Sequence, residues 1–230
     1  MSTTEPPVKI PVVENEAQFV LTRRRMSYEE YLAWADEDKH AEWVNGEVTV
    51  EMPPKHLHQL LVGFLYHIID LYVRILELGQ VWDAPFEVKL WHDGPSREPD
   101  LLFLAKEHLD RLTPERIVGA PDLIVEIVSD DSAHRDRVDK LDEYETAGVA
   151  EYWIIDNRPS QHRAWFYQLD EQKHYQLIPV GADGIYRSRV LPGLWLRETW
   201  LWQEQPNELT ALAEIIGPER FAEALRQALK

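Results

Sequence analysis

Apolar positions along the chain change period several times, and each change marks an element. Met26 and Tyr31 bracket Ser27 and Glu30 in the spacing of a hydrophobic staple around a capping box, which predicts a short helix from Tyr28 to about Ala35. Asp36 to Lys39 is its polar exit. Asn45-Gly46 then separates two short β-forming runs and predicts a hairpin from Glu42–Val44 and Glu47–Met52. After Pro53-Pro54, Leu57, Leu60, Leu61, Phe64, Leu65, Ile68, Leu71, Tyr72, Ile75 and Leu76 recur at helical spacing, with Gly79 as the expected stop.

Strand texture follows. Gln80 to Leu90 reads as a strand broken at Pro85, HDGPSR as a turn, and Glu98–Leu104 and Ala120–Ser129 as two buried strands flanking a polar helix or loop. From Ser132 the period returns to that of a helix, with Val138, Leu141, Tyr144 and Ala147 on one face and Gly148 as the cap. Glu151–Asp156 is a further buried strand. A strand, a helix and a strand in that order imply a parallel pair at the centre of a sheet. Arg163–Leu169, His174–Val180 and Gly184–Arg189 predict an antiparallel meander, and Glu208–Lys230 one or two helices broken at Gly217-Pro218. The expected organisation is an arm over residues 1–22, one domain over 23–206 and a helical extension over 207–230.

Two acids interrupt the apolar strands. Asp100 heads the first, and Glu126 lies inside the second between Val125 and Ile127, where a carboxylate needs a compensating partner such as a divalent cation. Lys140 on the following helix adds an amine. With no Cys in 230 residues, any metal is held by oxygen or imidazole, which favours Mg²⁺ or Mn²⁺. Carboxylate-held metal with a nearby cation is the equipment of phosphodiester hydrolysis. The net charge of −17 argues against a broad basic surface that coats nucleic acid, while allowing a local basic groove. No apolar run approaches the roughly 18 residues that span a bilayer, and a cytoplasmic protein is expected.

The residues AEWVNGEV, HQLLVGFL, EPDLLFL, APDLIVEIVS and RDRVDKLDEYETAGVAEYWIID occur in this order between Met26 and Trp202. In them the chain resembles the Uma-type restriction-endonuclease-like family of the PD-(D/E)xK nuclease superfamily. The resemblance implies an α/β (α+β) fold with a mixed central sheet flanked by helices, an N-terminal hairpin and a C-terminal meander. It also implies DNA as substrate, Mg²⁺ or Mn²⁺ as cofactor, metal held by Asp100 and Glu126, and Lys140 in place of the superfamily lysine, whose usual position is Val128. Glu42 matches the acid of the family's first motif, with a role at a second metal or in orienting the first.

Each assignment has a plainer reading. Lys140 could be a solvated helix residue pairing with Asp136 or Tyr144, and His58 a packing or capping residue. Asp122 belongs to a second Pro-Asp pair and reads as the start of a strand, although alternation puts it on the face of Glu126. His134, Arg135 and Arg137 could touch phosphate or be a solvated face. Trp195, Trp200 and Trp202 read as core or dimer surface. The competing function is a degenerate nuclease fold that serves as a binding or dimerisation module, a homodimer being expected through the apolar C-terminal region.

Overall fold

The computed structural model describes residues 23–35, 41–50, 55–129 and 138–228. The expected arm, the polar exit of the first helix, the end of the hairpin and the His134, Arg135 and Arg137 cluster lie outside these residues.

The N-terminal part alternates short strands with one capped helix. β1 (Arg23–Arg25) leads to α1 (Tyr28–Trp34), where Ser27 accepts from the Glu30 amide and Glu30 accepts from the Ser27 amide, closing the capping box. β2 (Ala41–Val44) and β3 (Glu47–Val50) form the hairpin, with Asn45 and Gly46 both at positive φ as a tight turn requires. β5 (Glu87–Lys89), β6 (Ser96–Arg97) and β8 (Arg116–Val118) complete a first sheet in the order β1-β3-β2-β6-β5-β8.

The second sheet is the centre of the molecule. It contains β4 (Gly79–Asp83), β7 (Leu101–Ala105), β9 (Leu123–Ile127), β10 (Glu151–Asp156), β11 (Arg163–Leu169) and β12 (Tyr175–Ile178), in the order β12-β11-β10-β9-β7-β4. Only β9 and β10 are parallel within it. They are joined through α3 (Lys140–Ala147), the crossover that the strand–helix–strand pattern implies. Gly148, at φ 87°, ends α3 in the left-handed conformation.

Alternation along these strands makes two cores. Leu101, Phe103, Leu123, Val125, Ile127, Trp153 and Ile155 face α2 (His56–Leu76), which lays Leu61, Phe64, Leu65, Ile68, Ile69, Tyr72 and Val73 on them. Leu102, Leu104, Ile124, Val128, Tyr152 and Ile154 face the other way, onto Val88, Leu90 and Ile117 of the first sheet and Tyr144 of α3. By length and composition α2 could cross a bilayer, although polar residues interrupt its apolar positions. Its apolar face lies on the sheet, and at roughly 1.5–3 kcal/mol for each fully buried large apolar side chain, that burial makes it a core helix.

Three details differ from the sequence pattern. α2 stops at Glu77, which takes φ 53° and sends its amide to the Val73 and Arg74 carbonyls, while Gly79 already belongs to β4. The third strand of the expected meander leaves the sheet: β13 (Ile185–Arg187) pairs with β14 (Trp195–Arg197) as a separate ribbon. The physical cause is Glu151, a buried carboxylate that accepts from Trp153 Nε1, Tyr186 Oη, Ser188 Oγ and the amides of Arg189 and Val190, pulling this segment toward the first residue of β10. Finally, the break expected at Pro85 is present, at a cis Ala84–Pro85 bond, but it divides the run between two sheets, β4 in the second and β5 in the first. α4 (Glu208–Ile216) and α5 (Pro218–Ala228) close the chain, broken at Gly217 as expected.

Candidate active site

The two sheets meet at Arg97–Leu101, where the chain leaves β6 and enters β7. Asp100 sits at this junction. Leu101 pairs with Val125, so one step further along the antiparallel register Asp100 stands opposite Glu126. Glu126 shares parity with Ile124 and faces the side of the sheet that carries α3, while Asp100 lies one residue before β7. Asp100 Oδ2 accepts from the Ile127 amide at 2.7 Å, which locks the carboxylate to the strand that carries Glu126. His58, in the first turns of α2, brings Nε2 to 3.2 Å from the same oxygen.

Glu126 is almost wholly buried, and α3 supplies two of its partners. Lys140 Nζ donates to Glu126 Oε1 at 2.8 Å and Tyr144 Oη donates to the same oxygen at 2.9 Å. Lys140 and Tyr144 are four residues apart on one helix, so they project from one face. The amine is 2% exposed, which rules out the solvated reading of Lys140. The position of the usual superfamily lysine, Val128, lies instead in the apolar core with its side chain among Ile124 and Tyr144.

Behind Lys140 lies a second carboxylate from the first sheet. Glu42 Oε1 is 3.1 Å from Lys140 Nζ, and Glu42 Oε2 accepts from Arg97 Nη1 at 2.7 Å. Trp43 pairs with Ser96, so the same register puts Glu42 opposite Arg97. Arg97 turns its other edge to Glu143, donating from Nε and Nη2 at 2.8 Å each in a two-pronged pair. Burial works against the Arg97 charge, but the Glu42 and Glu143 carboxylates outweigh it and hold the guanidinium more firmly protonated than in water. Burial, followed by the Glu126 and Glu42 carboxylates, pushes the Tyr144 phenol far above its ordinary range, so it serves as a donor. The result is a continuous chain of alternating charge, Glu126–Lys140–Glu42–Arg97–Glu143, buried except at the half-buried Glu143.

Sequence reasoning brought out Asp100, Glu126, Lys140 and Glu42, and the structure gathers all four around this junction. It missed Arg97, Glu143 and Tyr144 as parts of the site, and weighted His58 toward packing. Glu143 and Tyr144 follow Lys140 by three and four residues, a helical spacing that could have shown them. Arg97 carries no such signal. Asp122 lies at the far end of β9, where Oδ2 accepts from the Ala105 amide at 2.7 Å and His108 Nδ1 lies 2.9 Å from Oδ1, so it fastens the start of the strand. Trp200 is in the core, with Trp195 and Trp202 packed against its edge.

Among the described residues, no group of three or more His, Asp or Glu side chains is arranged to hold a metal ion. Asp100 and Glu126 nonetheless form an oxygen-only pair on two adjacent strands. That donor chemistry suits Mg²⁺, which is commonly held by one or two carboxylates, with water and phosphate oxygens completing its shell. Glu42, by contrast, has its two oxygens directed at Lys140 and Arg97.

A mixed sheet flanked by helices, with an acid at the start of one strand opposite an acid inside the next, defines the restriction-endonuclease-like α/β class. The chain belongs to the Uma2 family, described as "putative restriction endonuclease", whose family model matches residues 28–199. The fold is similar to the crystal structure of a protein from Anabaena variabilis ATCC 29413 described as a putative nuclease, at a TM-score of 0.64 and 17% identity over 78% of this chain and 98% of that one. No curated protein matches.

Proposed function

We propose that this protein is a metal-dependent endonuclease that hydrolyses phosphodiester bonds in DNA. The observation that carries the reading is Asp100 at the entry to β7, bonded to the amide of Ile127 beside Glu126 on β9, with the buried Lys140 ammonium 2.8 Å from Glu126. Asp100 and Glu126 would hold Mg²⁺ or Mn²⁺, which supplies Lewis acidity at the phosphoryl group and lowers the pKa of bound water. Lys140 stabilises charge on the attacked phosphate or positions the water. Glu42 orients Lys140 through its 3.1 Å contact instead of holding metal, since its other oxygen faces Arg97. His58 steadies Asp100. Family membership and fold support this reading at the level of a nuclease-like domain.

The test is nicking and linearisation of a supercoiled plasmid with Mg²⁺ or Mn²⁺ present. Wild type should cleave, Glu126→Ala and Asp100→Ala should not, and circular dichroism should find all three folded. A folded Glu126→Ala that still cleaves overturns the assignment.

A second reading is a degenerate nuclease fold used for binding or dimerisation. Two observations favour it: Glu126 Oε1 already takes two donors, and the chain carries a charge of −17. Under it, wild type would bind nucleic acid without metal-dependent turnover. We also propose a cytoplasmic location and a homodimer through the apolar C-terminal region, the latter tested by light scattering on the eluting protein.

A further inference from the structure

At the same end of the central sheet, on the α2 side, lies a cavity of about 330 Å³. It is within the size range of small-molecule sites, near the lower end. Its walls come from the first turns of α2, the loop after β10 and the segment after β14, including Leu57, Asn157, Ser160, His162, Trp202 and Gln203. Leu57 precedes His58, the residue against Asp100. Asn157 Nδ2 donates to the Leu57 carbonyl at 3.0 Å, which ties the loop to the helix turn that reaches the acid pair.

The chemistry of the lining selects an occupant. His162 lies parallel to Trp202, ring centroids 5.2 Å apart at 10°, and His162 is exposed, so an aromatic stack opens to solvent at the rim. Asn157, Ser160 and Gln203 offer both donors and acceptors. Among the described residues the lining contains no Lys or Arg, and Glu204 adds a carboxylate that repels phosphate. The loop is held in an unusual shape: Ser160 and His162 both take positive φ, at 72° and 37°. Non-glycine residues held this way cost energy and recur at ligand sites. A flat, neutral, hydrogen-bonding ring meets all of these conditions.

We propose that this cavity receives an unpaired nucleobase next to the cleaved phosphate, stacked on the His162–Trp202 pair. The inference rests on the nuclease reading for the identity of its ligand and names a single-stranded segment as what the site prefers. Arg158 belongs to the same loop, with Nε and Nη2 donating at 2.8 Å to the buried Asp156. Since Ile154 pairs with Glu126, Asp156 lies on the Glu126 face of the sheet, one alternation further along. The cavity and Glu126 thus lie on opposite faces at the same end of the sheet, and a strand whose base occupies the cavity would pass around that end by Arg158 to reach the acid pair.

The test is fluorescence anisotropy of a labelled oligothymidylate of about ten nucleotides, within the usual span of single-strand sites. It is run on the full chain with chelator present, so cleavage plays no part. Wild type should bind the single strand more tightly than a duplex of equal length. His162→Ala and Trp202→Ala should weaken single-strand binding by roughly 5- to 150-fold, the range for loss of base stacking. Trp202→Phe should retain most of the affinity, and His162→Ala, at an exposed position, serves even if Trp202→Ala does not fold. Unchanged affinity in His162→Ala and folded Trp202→Ala overturns the proposal, as does a wild type that does not bind the single strand. If wild type cleaves plasmid with metal but these variants bind normally, the cavity assignment fails and the nuclease reading stands. Stacking-dependent binding without any cleavage gives the reverse.

Discussion

Glu42 has two buried cations on one carboxylate, and that sets its energetic role. Removing one partner of a buried ion pair costs about 3–5 kcal/mol, because the desolvated charge left behind has lost its counterion. In Glu42→Ala, Lys140 keeps Glu126 and Arg97 keeps Glu143, so the expected loss of unfolding free energy is at the lower end, about 3 kcal/mol, measured by urea denaturation. Cleavage should fall with it, since Lys140 loses the contact that aims it. A variant of wild-type stability would mean that the Glu42 contacts contribute little in solution. These residues were unequally legible. An acid in a run of Leu, Ile and Val is conspicuous because burying it is costly, so Glu126 and Asp100 stood out. Arg97 did not, because an arginine in a turn-rich stretch is ordinary until β6 is seen to pair with β2 and bring it opposite Glu42.

Among the elements, α3 does most to build the site, since one short helix delivers Lys140, Glu143 and Tyr144. Its direction is set at its end. Gly148 takes φ 87°, and a Cβ there would meet nothing within 4 Å, so substitution strains only the backbone. Gly148→Ala should therefore cost about 1–2 kcal/mol, the penalty of a left-handed L-residue, with cleavage retained once the protein is folded. Chemical denaturation measures the first and plasmid nicking the second; a loss well above this range would mean that α3 had shifted. Gly148 was readable as a cap because local chemistry decides it. The end of α2 was not, since Glu77 accepts the left-handed conformation in order to start β4 at Gly79, and the Gly79 Cβ position is filled by the Leu104 carbonyl of the neighbouring strand. Sheet pairing, which is non-local, overrode the local stop signal.

Across the whole molecule, buried phenols set a limit on alkaline stability. Tyr31, Tyr144, Tyr175 and Tyr186 belong to different elements, and in each burial is the first cause that raises the pKa, with nearby carboxylates adding to it. The unfolded value is about 10. A group whose folded pKa lies above its unfolded one contributes stability that is complete below about 10 and is lost as pH rises beyond it, because the unfolded chain then releases protons that the folded chain keeps. Unfolding free energy should be flat with respect to these groups below that pH and fall steeply above it. Spectroscopic titration should find a class of tyrosines that ionises only as the protein unfolds. Ionisation of all nine on a single curve, with the fold intact, would contradict this.

By itself the sequence determined what depends on neighbours along the chain: the capped α1, the Asn45-Gly46 hairpin, the core face of α2, the buried runs around β7, β9 and β10, and the cap after α3. It also marked Asp100 and Glu126, because the cost of burying charge is visible wherever an acid interrupts an apolar run. Tertiary structure alone decided the division into two sheets, the departure of β13 to pair with β14, and the closing of Glu126, Lys140, Glu42, Arg97 and Glu143 into one charged chain. Those outcomes depend on strand register and on which buried charges find counterions, and both are settled between residues far apart in sequence.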